Sequence, residues 1–330
     1  MKAITQSRYG TTDRLTFDDI PTPVPEDDEV LVAIDAAGLD MGVWHRMSGL
    51  PYVARTDSGL RRPRRQVLGT DFAGRVAAIG SAVVGVAIGD EVFGTADGTF
   101  AEHATTTADR IAPRPSTLTA AESASMPTSA VAALQALSDK AEVIPGDRVL
   151  VIGASGGVGS YAVQIASALG AHVTGVASTP KLDHVRNLGA QDVIDYTQDD
   201  IDTTGHTWDV VLDGGGNRPV RQLRNVLTED GVLVFYGGEQ GGRWTGGTGR
   251  WLRGLLLSPF VSQRLRVLSS NVDRSTLLEV VRLTDAGRIN APIDRTFSLA
   301  DVPAAIDALR AGTIRGKAIV VPCSVSTRDS

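Results

Sequence analysis

The sequence predicts an α/β protein in which a doubly wound parallel sheet is set inside a β-rich domain built from both ends of the chain. Three observations predict it. Short β-type runs punctuated by Gly, Pro and Asp fill residues 1–112, strands alternate with helical segments from Arg148 onward, and the segment after Gly287 returns to the style of the first part. A chain of 330 residues has room for roughly two domains of ~150 residues. The expected division is 1–112, 113–272 and 273–330, with the outer two forming one unit.

Taken in order, residues 30–34 and 72–79 have strand composition, and Gly89-Asp90-Glu91-Val92-Phe93-Gly94 reads as a turn entering another strand. Spacing of this kind suits an antiparallel barrel or sandwich. After Pro113-Arg114-Pro115 the Ala-rich stretch 116–137 has helical spacing. Residues 149–152 are entirely apolar, as a strand covered on both faces requires. A helix at 158–169 stops at Gly170, a strand follows at 172–177, and a helix at 181–188 stops at Gly189. Strands at 192–196, 209–212 and 232–235 bring the doubly wound sheet to five. Residues 237–254, glycine-rich and carrying Arg243, Trp244, Arg250, Trp251 and Arg253, read as one long loop, of the kind that is functional or lies at an interface. Beyond it come a strand at 267–268, a helix at 274–286, a strand at 293–297, a helix at 302–309 and a last strand at 317–321.

Composition narrows the function. Cys323 is the one cysteine, so neither an intramolecular disulfide nor a Cys/His/Cys zinc site is available and no metal site is expected. No run of about eighteen apolar residues appears, and Met1-Lys2-Ala3-Ile4 opens a strand-like segment without a signal peptide's apolar centre, so a cytoplasmic location without a membrane partner is expected. The net charge of −6 argues against broad nucleic-acid affinity. Lysine is rare, being confined to Lys2, Lys140, Lys181 and Lys317, which makes the position of each informative.

The strongest local signal is Gly153-Ala154-Ser155-Gly156-Gly157-Val158-Gly159, directly after an apolar strand and directly before a helix. Glycines there permit a tight turn, a close approach to a pyrophosphate and close packing of helix on strand, while the helix N-terminus offers free N–H groups to phosphate. The placement points to a dinucleotide. At the end of the second strand an acidic residue would bind the ribose 2′-hydroxyl of NAD and repel the 2′-phosphate of NADP. None is present: the segment is Val176-Ala177-Ser178-Thr179-Pro180-Lys181. A lysine ammonium pairs well with phosphate, so NADPH is favoured. The alternative is that Ser178 caps the following helix and Lys181 is solvated on its first turn.

Together these pieces resemble the medium-chain dehydrogenase/reductase superfamily, in its zinc-independent quinone oxidoreductase or zeta-crystallin-like branch. The resemblance also rests on Leu68-Gly69-Thr70-Asp71-Phe72-Ala73-Gly74, Pro145-Gly146-Asp147-Arg148-Val149, Leu188-Gly189-Ala190, Val193-Ile194-Asp195-Tyr196 and Arg315-Gly316-Lys317, in order along almost the whole chain. It implies a Rossmann domain inserted in a GroES-like catalytic domain, pairing into homodimers through Rossmann edges, and a 2′-phosphate held by Ser178, Lys181 and Tyr196. The zinc-dependent relatives carry Gly-His-Glu where this chain has Gly69-Thr70-Asp71. Where the family has Asn-Pro-x-x-x-Tyr-x-x-x-Gly beside the nicotinamide, this chain has Asp40 for the asparagine and His45 for the tyrosine, with Gly49 closing the segment.

Asp40 and His45 are therefore the candidate catalytic residues, His45 as donor to a carbonyl oxygen and Asp40 as the group that sets its tautomer, with Tyr52 as a secondary donor. A capping Asp40 and a surface His45 are the alternative. Thr128 at a helix start, Gly214 and Asn217 after the fourth strand, Tyr236 and Gly237 after the fifth, and Lys317 in the cleft complete the expected cofactor contacts. The expected activity is NADPH-dependent, metal-free hydride transfer to a quinone or α,β-unsaturated carbonyl. Its rivals are a specialised biosynthetic reductase for one natural-product intermediate, which the Asp40 and His45 departures and the basic glycine-rich segment suggest, and a non-catalytic NADPH-binding redox sensor.

Overall fold

The computed structural model describes residues 1–238 and 242–322. The first part begins with a hairpin of β1 (Lys2–Thr5) and β2 (Thr16–Asp19), followed by the long strand β3 (Glu29–Leu39), helix α1 (Met41–Ser48) and the short helix α2 (Arg55–Ser58). Strands β4 (Asp71–Ile79), β5 (Glu91–Thr95), β6 (His103–Thr107) and β7 (Ile111–Pro113) complete it. Strand β3 alternates buried and half-exposed residues along its first half, as a strand with one face on a core does, and runs on to Leu39, five residues past the expected stretch 30–34.

Helices α3 (Ala120–Ala124) and α4 (Pro127–Gln135), the latter continuing into a π-helical turn at Ala136–Ala141, cross to the parallel sheet. The single helix expected over 116–137 is thus divided. Thr119 and Glu122 form a reciprocal cap on α3, and Pro127, which lacks an N–H, starts α4 afresh.

The parallel sheet follows, with β8 (Arg148–Ile152), α5 (Gly157–Ala168), β9 (His172–Ala177), α6 (Leu182–Asn187), β10 (Asp192–Asp195), β11 (Trp208–Asp213), α7 (Val220–Asn225) and β12 (Leu227–Phe235). Helix α8 (Thr248–Leu257) and strand β13 (Arg264–Val267) then close it. The strand order β10-β9-β8-β11-β12-β13 is parallel throughout and reverses direction beside β8, at the turn that carries the glycine motif. Two expectations are corrected here. The sheet has six strands rather than five, and residues 248–254, expected as loop, belong to α8; Gly249 and Gly254 masked a helix that packs beside β13.

Helix α9 (Arg274–Asp285), strand β14 (Ile293–Ser298), helix α10 (Val302–Arg310) and strand β15 (Lys317–Val321) return the chain to its beginning. Strand β15 pairs antiparallel with β3, so the seven-stranded sheet, with order β14-β15-β3-β4-β5-β7 and β6 also on β3, takes strands from both ends of the chain. One apolar core runs from Ala36, Ala73 and Phe93 of this sheet through α4 and Tyr161 of α5 to Val149 and Val173 of the other. Continuous packing of this kind holds the two sheets as neighbours and leaves a cleft along their shared edge.

Candidate active site

The cleft is a cavity of about 460 Å³ whose floor is the glycine turn. Gly153 sits at φ +83°, a left-handed conformation open to glycine, and a Cβ on Gly159 would fall 2.1 Å from the Gly153 carbonyl oxygen. Ser155, Gly156, Gly157 and Val158 line the cavity with them, and α5 points its N-terminus into it. Free N–H groups at that end suit an anion.

At one end of the cavity stand Ser178, Lys181 and Tyr196. The Ser178 side chain makes no capping bond to the turn that follows, which removes the purely structural explanation for it. Lys181 is half-buried rather than solvated, and its ammonium donates to the Ile314 carbonyl, 2.6 Å away on the far wall. Burial lowers its pKa, with the Asp294 carboxylate pulling the other way and Arg315 adding to the decrease.

Toward the other end, Gly214, Asn217, Tyr236 and Gly237 line the cavity. The Gly214 N–H and the Tyr236 hydroxyl both donate to the Ile152 carbonyl, at 3.1 and 3.2 Å, tying the ends of three adjacent strands together. A Cβ on Gly237 would lie 2.2 Å from the Gly214 carbonyl oxygen, so glycine is what lets β11 and β12 end side by side. Below them Asp213, fully buried, pairs at 2.5 Å with Arg250 of α8, which anchors that helix to the sheet.

The β-rich domain supplies the facing wall through Asp40, Met41, Arg310 and Lys317, and α4 adds Ser129. Asp40 caps α1, its Oδ1 accepting from the Val43 N–H at 3.3 Å, while remaining part of the wall. Within the wall, Lys317 (1% exposed) donates to Ser129 Oγ at 3.1 Å and lies 3.5 Å from the fully buried Asp71. Thr128 donates to Asp71 through both its N–H and its hydroxyl. Burial pushes the Asp71 carboxyl up to about 6, with the nearby Lys317 ammonium opposing the rise and the Asp40 carboxylate adding to it.

Three expected contacts are not among the residues that form the cavity wall. His45 turns its Nδ1 to the Leu50 carbonyl at 2.6 Å, so in the neutral ring the N–H is spent there and Nε2 holds a lone pair, not a donor. Tyr52 packs edge-on against Trp244 and its N–H donates to the Arg243 carbonyl at 2.8 Å, which makes it part of the contact between the β-rich domain and the segment before α8. Thr128 is occupied by Asp71. Ser129, Arg218 and Arg310, which the sequence did not single out, do form part of the wall.

A model described as "Alcohol dehydrogenase GroES-like domain" matches residues 26–116, and one described as "Zinc-binding dehydrogenase" matches residues 188–320. The chain is 35% identical over 248 residues to a chloroplastic quinone-oxidoreductase homologue of Spinacia oleracea, covering 71% of this chain and 74% of that one. It belongs to the medium-chain dehydrogenase/reductase superfamily, in the quinone oxidoreductase branch. Within that branch it is also 34% identical over 253 residues to the 2-methylene-furan-3-one reductase of Solanum lycopersicum, covering 72% of this chain and 62% of that one. The solved structure of the quinone oxidoreductase from Coxiella burnetii superposes with a TM-score of 0.87 at 29% identity, covering 98% of this chain and 99% of that one.

One of the two superfamily models names zinc, and the donor set can be tested directly. Among the described residues no three His, Cys, Asp or Glu side chains gather where a metal ion would sit, and Cys323 lies outside the described residues. Asp71, in the segment where the zinc-dependent branch carries Gly-His-Glu, is spent on Lys317 and Thr128. The donors among the described residues do not fit zinc.

Proposed function

We propose that the protein is an NADPH-dependent reductase that adds hydride to a quinone or to the C=C bond of an α,β-unsaturated carbonyl compound. The observation that carries this reading is the single cavity in which the glycine turn lies between Ser178, Lys181 and Tyr196 at one end and Gly214, Asn217 and Gly237 at the other. That arrangement suits an extended dinucleotide with its phosphates on the turn and a 2′-phosphate on the Lys181 ammonium. The spinach and tomato relatives bear the names of a quinone oxidoreductase homologue and an enone reductase, which supports the acceptor class.

NADPH, when bound, supplies the hydride. The chain's own residues bind and orient: Ser129 of α4, whose oxygen accepts from Lys317, keeps its O–H to donate into the cavity, and Asp40 presents a carboxylate that accepts hydrogen bonds. A conjugated acceptor spreads the incoming charge onto its oxygen, so hydrogen bonds suffice to stabilise it where no metal is held. The test is NADPH oxidation with simple quinones and α,β-unsaturated ketones. Turnover with at least one of them is expected, and tight NADPH binding with no turnover on any acceptor would overturn the reading.

The same proposal includes a homodimer. Among the described residues strand β13 has no partner on its outer edge in the six-stranded sheet, and the adjoining segment leaves Leu256 63% and Phe260 84% exposed. Apolar side chains beside an unpaired strand edge are a surface that a second copy would cover. Light scattering should give a dimer for the native chain and a monomer for Leu256→Glu/Phe260→Glu; a native monomer would refute the pairing. A cytoplasmic location belongs to this reading too. Among the described residues no helix is long and apolar enough to cross a membrane.

A further inference from the structure

Arg310, the last residue of α10, lines the cavity with its guanidinium carbon 4.0 Å from the centre of the Trp44 ring. The other cations of the wall are committed: Lys317 to Asp71 and Ser129, Arg218 to Asp200 at 3.0 Å, and Lys181 to the Ile314 carbonyl. Arg310 has no ion pair or side-chain hydrogen bond with any described residue; the indole is its one partner. A guanidinium held this close over an aromatic ring by cation–π attraction keeps its N–H donors available and loses little further freedom when an anion arrives.

Its place indicates which anion. Trp44 belongs to α1, whose first residue Met41 is in the cavity wall. From Arg310 the chain runs through Gly312 and Ile314, also in the wall, to Gly316, whose N–H donates to the Ser155 carbonyl in the glycine turn at 2.8 Å. Arg310 thus belongs to the stretch of wall, Leu309 to Gly316, that shares the cavity with the glycine turn and meets it at Gly316. The turn itself offers neutral N–H groups to a charged diphosphate, and a planar cation on the facing side supplies the missing charge in a geometry that suits two phosphate oxygens at once.

We propose that Arg310, held by Trp44, binds the diphosphate of the dinucleotide, as a cofactor-binding residue donated by the β-rich domain. The inference rests on the dinucleotide reading above. Because the diphosphate is common to both cofactors, Arg310→Ala should weaken NADPH and NADH by the same factor, roughly ten-fold for one charge-assisted contact at a half-open site. Trp44→Leu should produce a smaller loss of the same kind, and Arg310→Lys should recover only part of the affinity, since an ammonium lacks the fork.

Dissociation constants for both dinucleotides, measured by cofactor fluorescence on variants with unchanged melting temperature, decide it. Loss confined to NADPH would assign Arg310 to the 2′-phosphate, and unchanged affinity for both with a raised KM for an anionic acceptor would assign it to substrate; either overturns the proposal. A native chain that binds neither dinucleotide would overturn the functional reading itself, an outcome distinct from native binding that Arg310→Ala leaves intact.

Discussion

Lys317→Met is expected to destabilise the protein by about 3–5 kcal/mol near neutral pH, the usual cost of removing one partner from a buried ion pair. The reason is the isolation of Asp71, which is fully buried and 3.5 Å from the Lys317 ammonium. Two Thr128 donors remain to the carboxylate in the variant, but no counter-charge does. Asp71→Asn/Lys317→Met, which removes both charges, should recover much of the loss, because the cost lies in the unpaired ion rather than in the missing contact.

The pH dependence has a definite sign. In the native chain the Asp71 carboxyl is raised from 3.8 to about 6, so between those values the folded state binds more protons than the unfolded state. Its contribution to stability therefore falls as pH rises through that window, and the full penalty applies above it. Without Lys317, the force opposing the rise is gone and the window extends upward. The single variant should regain stability on acidification from about pH 7 to about pH 5 by more than the native chain does. Denaturant titrations across that range measure it, and a difference between the two proteins that stays flat with pH would count against a buried, unpaired Asp71.

This pair also marks the limit of what the sequence conveys. The apolar strands of the parallel sheet and the turn at Gly153 were legible because each is local: a run of covered residues, and glycines where the backbone needs left-handed φ or close approach. Lys317 was legible as a cleft residue through the resemblance, but its partners were not. Asp71 lies on β4 and Ser129 on α4, and only the antiparallel pairing of β15 with β3, itself paired with β4, brings them together.

Helix α8 was hidden for the opposite reason. Its local signal is poor in an intact helix former, with Gly249 and Gly254 inside it, and packing against Phe235, the Arg250–Asp213 pair and β13 overrides that propensity. His45 was read as a donor because residue type suggests one; the Leu50 carbonyl that occupies its Nδ1 is a detail of the turn after α1. Arg310 carried no sequence signal, since an arginine ending a helix is ordinary and its meaning comes from Trp44 of a distant helix.

Lys181→Ala should weaken NADPH by roughly ten- to a hundred-fold, the range of one charge-assisted contact to phosphate, and leave NADH nearly unchanged. The argument starts from the half-buried position of the ammonium, its lowered pKa and its single 2.6 Å bond to the Ile314 carbonyl across the cavity. A neutral carbonyl is a weaker partner than a phosphate, so an arriving 2′-phosphate would take the ammonium over and hold it charged. Losing the carbonyl bond alone affects both cofactors alike, which makes NADH the internal control. Because the free lysine titrates lower than usual, NADPH affinity in the native chain should also fall faster than NADH affinity as the pH becomes alkaline. Lys181→Arg keeps the charge and should keep most of the preference. Equal losses for NADPH and NADH in Lys181→Ala would mean that the lysine only bridges the two walls, and the 2′-phosphate would then have to rest on Ser178 and Tyr196 alone.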